Sequence, residues 1–328
     1  DRHVPDRGNE GQGGSGDRLI IYQGDAAGWG PIPGGSAVAI GVFDGVHRGH
    51  ARVLDAVGRH DERFARVAMT FGRHPASLLA VGPAPTRLST LKRRFELFEA
   101  AGIQRVAVLN FDAALRDLTP DDFVERFLVA GLNARFVDVG EGFRFGGGAS
   151  GTTETLTELG EHHGFDVAVV EIARHNGNEI RSTLIRRRVE DGDVTDAAAM
   201  LGRPYEVEGI VVPGDARGRQ LGVPTANVSM PATLTVPKTG VYAVTVGFDG
   251  RNLPGVANLG IRPTFDGTEQ VLEVHVLGFD ENLYGKQLRI GFVERIRDEM
   301  RFESIDGLLT RIRRDIAAAT GILDERTS

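Results

Sequence analysis

Two textures of hydrophobic patterning divide the chain. From Ala37 to about Leu201, short β-rich runs alternate with stretches of helical period: AVAIGVF is followed by RVLDAVGRH, RVAMTF by LKRRFELFEAAG, RVAVLNF by DDFVERFLVAG, RFVDVG by TETLTELGEHH, and DVAVVE closes the series. Such alternation predicts an α/β domain with a parallel, Rossmann-like sheet covered by helices. Ser89 is a candidate cap for the helix that stops at Gly102. Thr119, followed by Pro120, Asp121 and Asp122, predicts a helix start whose helix ends near Gly131.

After Arg203 and Pro204 the pattern changes to YEVEGIVV, GVYAVTVGF, LPGVANLG, VLEVHVLGF and LRIGFVERIR, short β-rich segments parted by Gly and Pro. These predict an antiparallel barrel or sandwich. The segment SIDGLLTRIRRDIAAA places Ile305, Leu308, Leu309, Ile312 and Ile316 on one helical stripe, expected to pack on the barrel. The expected division is a polar, disordered tail over 1–17, an α/β domain over 18–202 and an antiparallel barrel or sandwich domain over 203–328, with no repeat between the halves.

At 328 residues the chain exceeds what one core sustains, in keeping with two domains. A net charge of −7 argues against a general nucleic-acid binder, so anionic ligands must be held by local groups. With no cysteine, disulfides, thiolate zinc sites and thiol nucleophiles are excluded, leaving His, carboxylates, hydroxyls, Arg or a metal for catalysis. No apolar run reaches the roughly 20 residues of a membrane helix, and the polar start has no secretory core. The expectation is a cytoplasmic enzyme with no membrane and no obligate protein partner. Gly11, Gly13 and Gly16 satisfy GxGxxG, but neither strand nor helix flanks them, so they are read as tail.

The chemistry concentrates in a few strings. Gly41 to His50 reads GVFDGVHRGH directly after the apolar run AVAI, which places His47 and His50 where a strand gives way to a helix. Unpaired N–H groups and the helix dipole favour anions there, and imidazoles three apart share a face. Gly41, Gly45 and Gly49 suit a close backbone approach to a phosphate. Asp44 could order this turn or reach a metal-bound water. In IRSTLIR, Ser182 and Thr183 offer hydroxyls at a helix start and Arg186 a planar fork for phosphate, with simple capping by Ser182 as the alternative. There is no Walker motif, and the lysines are Lys92, Lys238 and Lys286. GRQLGVPTAN offers another phosphate site: Gly218 and Gly222 permit a close backbone pass, while Thr225 and Asn227 present neutral oxygens to a hard cation. Alternation along LEVH puts Glu273 and His275 on one face of a strand.

GVFDGVHRGH resembles the HxGH signature of the nucleotidyltransferase superfamily, as carried by the adenylyltransferase module of bacterial FAD synthetases. The resemblance resumes at TFGRHP, GEGFRFG, IRSTLIR, LGRPY, GRQLGVPTAN, GVYAV, NLGIRPTF, LEVH and LYGK, ending near Ile316. Together these strings resemble the bifunctional riboflavin kinase/FAD synthetase family of bacteria. The resemblance implies phosphorylation of riboflavin by ATP in the second domain, and transfer of AMP from ATP to FMN in the first, giving FAD and pyrophosphate. It implies His47 and His50 as catalytic groups of the first site, with Gly41, Phe43, Asp44, Gly45, Ser182, Thr183 and Arg186 around the nucleotide. For the second it implies Glu273 as general base, Gly218, Arg219, Gly222, Thr225 and Asn227 around ATP, and Mg²⁺ held by Thr225 and Asn227. Phe143, Phe145, Arg262 and Tyr284 are weaker candidates for flavin contact.

The string departs from the family at Gly142, where an acid or amide is usual, at Gly72 and Arg73 (acid and Pro), at Arg181 (Ser) and at Gly278 (Asp). These departures leave open an altered nucleotide choice, such as CTP, or an inactive first domain. A flavin-binding regulator on the same scaffold is the reading from another class.

Overall fold

The computed structural model describes residues 19–72, 85–110, 112–214, 218, 222–264 and 267–327; Arg73, Arg219 and the tail over 1–17 lie outside them. Strands β1 (Ile20–Gln23), β2 (Ser36–Ile40), β3 (Ala65–Phe71), β4 (Arg105–Leu109), β5 (Ala134–Gly140) and β6 (Asp166–Val170) form one sheet in the order β1-β4-β3-β2-β5-β6. Every pairing in it is parallel. Helices α1 (Arg48–Val57) and α2 (Leu91–Ala100) follow β2 and β3. Next come α3 (Pro120–Phe123), whose chain continues as π-helical turns through Gly131, and α4 (Thr153–His163).

Alternating residues of β2 show how both faces are covered. Ala37 and Ala39 pack with Leu54, Val57 and Phe98 from α1 and α2, whereas Val38 and Ile40 pack with Phe127, Leu128 and Leu132 on the other side. The chain runs from β2 outward through β3 and β4, then returns to the far side of β2 as β5. The segments that leave the carboxyl ends of β2 and β5 therefore turn to opposite faces of the sheet, and at such a switch point open α/β sheets bind ligands.

Thr119 caps α3, its hydroxyl accepting from the Asp122 N–H at 3.1 Å, and Pro120 occupies the first turn. The cap expected at Ser89 is displaced by one residue. Thr90 Oγ1 accepts from the Arg93 N–H at 3.0 Å, while Ser89 Oγ accepts from the Gly45 N–H. Both hydroxyls suit a cap, but the Gly45 N–H recruits the first.

A small hairpin, β7 (Arg174–His175) and β8 (Asn178–Glu179), leads to helices α5 (Ser182–Glu190) and α6 (Val194–Leu201). Strands β9 (Tyr205–Val212), β10 (Ala226–Ser229), β11 (Gly240–Phe248), β12 (Arg251–Thr264), β13 (Gly267–Val276) and β14 (Gln287–Arg297) close an antiparallel barrel in the order β10-β13-β12-β11-β14-β9. Its interior holds Val207, Tyr242, Val244, Leu259, Leu272, Ile290 and Phe292. Ile185 and Val189 of α5, Ala197 and Met200 of α6, and Leu88 of the first module join the same cluster. Charged contacts extend this junction: Arg93 of α2 reaches Glu206 at 2.7 Å, Thr90 donates to Glu208 at 2.8 Å, and Arg289 pairs with Glu208 at 2.9 Å.

Helix α7 (Ile305–Thr327) lies on the barrel through Ile316, Ala319, Ile322 and Leu323, against Val241, Ala243 and Val256. The stripe expected from the sequence is rotated at its start. Ile305 is 64% exposed, and Leu308 and Ile312 overhang a pocket instead of packing on the wall. Asp315, buried in the middle of α7, anchors the helix by accepting from Arg297 at 2.7 Å and Arg311 at 3.0 Å. Among the described residues no helix is long and apolar enough to cross a membrane.

Candidate active sites

The loop between β2 and α1 builds the first site. His47 is the N-cap of α1: its Nδ1 accepts from the His50 N–H at 3.2 Å, which leaves Nε2 to carry the proton of the neutral ring. The two imidazoles stack, with ring centroids 3.5 Å apart and planes 17° apart. Gly49 permits this, because a Cβ there would lie 3.2 Å from the His47 ring. Phe43 presses its ring against the edge of His50, and His50 Nδ1 is buried without a hydrogen-bond partner among the described residues.

Burial holds both rings neutral. Desolvation, with a smaller contribution from the Arg203 charge, lowers His47 from 6.5 to about 4. Desolvation, then the neighbouring His47 and the cation of Arg94, push His50 well below its usual range. Unfolded His47 therefore binds more protons than folded His47 between about pH 4 and 6.5. Its contribution to stability is complete above that window and is lost as pH falls through it, by about 3 kcal/mol. Thermal melts of the ligand-free chain should show this slope, and His47→Asn should flatten it.

The rings face a cleft of about 1110 Å³ lined also by Gly41, Phe43, Gly140 to Ala149, and Arg181, Ser182 and Thr183. Phe143 and Phe145, both on its wall, stack at 5.6 Å with an 11° interplanar angle. Gly142 lines the cleft with nothing within 4 Å of the place where a side chain would begin. Arg181, not Ser182, is the N-cap residue of α5 and gives no side-chain cap; its guanidinium is held by Glu179 at 2.7 Å. Among the described residues the first N–H groups of α5 thus have no side-chain cap and are open to an anion in the cleft. Ser182 Oγ donates to the Asp44 carbonyl at 3.0 Å.

Asp44, Gly45 and Arg186 stand behind this wall. The Asp44 carboxylate is buried and accepts from the backbone N–H groups of Leu88 (3.0 Å) and Ser89 (3.3 Å) and from Arg186 (3.4 Å). It orders the turn from within. Sequence reasoning missed Arg94, a buried cation donating to the carbonyls of Val42 and Phe71 and to Thr70, which ties together the ends of β2 and β3. Burial lowers its pKa to about 10, so it stays charged at neutral pH.

The second site lies on the outer wall of the barrel, in a pocket of about 580 Å³ roofed by Leu308 and Ile312 of α7. Gly218, Thr225, Asn227, Arg262, Glu273 and His275 all line it. Strand register explains the convergence: Asn227 and Asn258 both lie opposite Glu273, which puts amide, carboxylate and amide in one row across β10, β13 and β12. His275 Nδ1 makes a 2.8 Å hydrogen bond with the Pro224 carbonyl and so pins the turn before Thr225 to β13. At Gly218 a Cβ would meet the Val223 carbonyl at 2.4 Å and Thr225 Oγ1 at 3.1 Å. Only glycine fits that cradle. Tyr284, 51% exposed, stands in a shallow neighbouring recess that shares Thr225 with the pocket. Gly222 has a left-handed φ of 75° in the turn that leads to Thr225.

Comparison with known proteins matches these two constructions separately. A model described as FAD synthetase matches residues 31–184, and one described as riboflavin kinase matches 201–323. The bifunctional riboflavin kinase/FMN adenylyltransferase of Escherichia coli (strain K12) is 38% identical over 284 residues, covering 86% of this chain and 90% of its own. The chain belongs to the bifunctional riboflavin kinase/FMN adenylyltransferase family. The Pseudomonas fluorescens member is 38% identical over 294 residues, covering 88% and 93% of the two chains. A solved structure described as a macrolide-efflux protein from Streptococcus pneumoniae superposes with a TM-score of 0.84 at 29% identity, covering 92% of this chain and 99% of its own.

Two residues of the riboflavin kinase half escaped sequence reasoning although their strings were legible. Asn258 opens NLGIRPTF, yet only the register shows it beside Glu273. Arg203 sits in LGRPY, and its target lies 158 residues away.

Proposed function

We propose that this chain phosphorylates riboflavin to FMN in the barrel pocket and joins FMN to AMP in the sheet cleft, drawing on ATP for both. What carries the reading is the gathering of each constellation in its own cavity: the stacked His47 and His50 with an uncapped helix start in one, and Thr225, Asn227 and Glu273 in the other. The modules divide at about residue 202.

In the barrel pocket, the terminal ribityl hydroxyl attacks the γ-phosphorus, the bond from that phosphorus to the β–γ bridging oxygen breaks, and ADP leaves. Glu273 accepts the hydroxyl proton, with Asn258 and Asn227 directly opposite it on the two flanking strands. The Thr225 hydroxyl and the Asn227 amide are hard oxygen donors, few in number, next to a glycine cradle. That suits Mg²⁺, which takes one or two protein ligands and completes its shell with phosphates and water. Such an ion would offset charge on the transferring phosphoryl group. In the cleft, an FMN phosphate oxygen attacks the α-phosphorus of ATP and pyrophosphate departs. Neutral His47 donates from Nε2, and the first N–H groups of α5 receive the phosphates. Phe143 and Phe145 offer an aromatic wall for the flavin ring. ATP-driven steps and a chain without cysteine fit work in the cytoplasm.

Product analysis tests this. The chain incubated with riboflavin, ATP and Mg²⁺ should yield FMN and then FAD. With FMN and each of the four nucleoside triphosphates in turn, ATP should lead despite the missing side chain at Gly142. FMN accumulating without dinucleotide, or CTP outpacing ATP, would refute the assignment of the cleft.

A further inference from the structure

The turn that presents His47 is strained. Gly45 and Val46 have φ values of 78° and 40°, and Val46 is β-branched, a residue type that rarely occupies the left-handed region. Something must hold it there. The front of the turn is fastened by its own module, because the Asp44 carboxylate and the Gly45 N–H bond to Leu88 and Ser89. The back is fastened from the other module. Arg203 Nη2 donates to the Gly45 carbonyl at 2.5 Å and Nη1 to the Val46 carbonyl at 3.1 Å. A longer bond, 3.4 Å, runs from Nη1 to the Leu201 carbonyl, and Nε stands 4.0 Å from Glu206.

We infer that Arg203 is a positioning residue for adenylyl transfer, clamping the two peptide groups immediately before His47 so that its imidazole faces the phosphates. Arg203 does not line the cleft, so it touches no substrate there and acts through the turn, its charge adding a smaller effect on the His47 ring. It lies within the span matched by the riboflavin kinase model, so the kinase half completes the catalytic turn of the other half. Its charge survives burial, which lowers its pKa only to about 10. A planar fork can satisfy two successive carbonyls at once, whereas a lysine ammonium in that place could reach one. The inference rests on the reading of the cleft given above.

The test measures both reactions on the full chain, riboflavin to FMN and, separately, FMN to FAD, for the wild type, Arg203→Met and Arg203→Lys. Small displacements of a reacting group cost up to about a hundredfold in rate. Arg203→Met should therefore lower kcat for FAD formation by about tenfold to a hundredfold, with KM for FMN and ATP nearly unchanged. Riboflavin phosphorylation by the same molecule should stay near the wild-type rate, and Arg203→Lys should recover part of the loss. If Arg203→Met forms FAD at the wild-type rate, or if both reactions decline together, the inference is overturned while the reading of the cleft stands. A wild-type chain that makes FMN but no FAD would overturn that reading and this inference with it.

Discussion

His47→Asn is expected to remove most FAD formation while leaving riboflavin phosphorylation intact. Asparagine is among the best N-cap residues, so the start of α1 keeps an acceptor for its free N–H groups, and the helix is expected to persist. What disappears is the Nε2–H donor in the cleft. Loss of one donor aimed at developing charge costs about 2.7–4 kcal/mol, or roughly a hundredfold to a thousandfold in kcat. His47→Ala should lose the same activity and, in addition, about 1 kcal/mol of stability, because alanine cannot cap. Steady-state rates of FAD formation, read beside thermal melts, separate the two effects. FAD formation by His47→Asn within threefold of wild type would remove the imidazole from the chemistry.

Glu273→Gln is expected to do the converse. Glutamine keeps the shape and the hydrogen-bonding reach needed between Asn227 and Asn258, but it cannot take a proton. General-base catalysis contributes about a hundredfold to ten-thousandfold, so kcat for riboflavin phosphorylation should fall within that range and KM for riboflavin should hardly move. FMN supplied from outside should still become FAD. Unimpaired phosphorylation would leave Glu273 as a wall of the pocket and nothing more.

The residues that speak through local spacing were readable from the sequence, and those that speak across the fold were not. Thr119 with Pro120 gives a helix start because all the relevant bonds lie within three residues. Glu273 and His275 share a face because strand period is local. The π-helical turns after Val124 have no such signature, and β10, four residues long, is not among the expected strands because its order comes from β9 and β13 on either side. β1 is similarly short and takes its place from β4. Ser89 and Thr90 show the limit most clearly. Either hydroxyl could cap α2, and the choice is made by the Gly45 N–H, 44 residues earlier in the chain. Asp44 follows the same rule, since the partners that fix its orientation, Leu88 and Arg186, are distant in sequence.

Helix α5 begins at the mouth of the cleft with Ser182 and Thr183, and buries Ile185 and Val189 in the cluster that fills the barrel. A single rod of nine residues thus serves as a threshold for the nucleotide at one end and as foundation for the neighbouring half at the other. Gene fission has no neutral seam along it. A cut ahead of α5 strips the cleft of its anion-facing peptides, and one behind it leaves a greasy flank open to water, so the tandem arrangement is self-preserving.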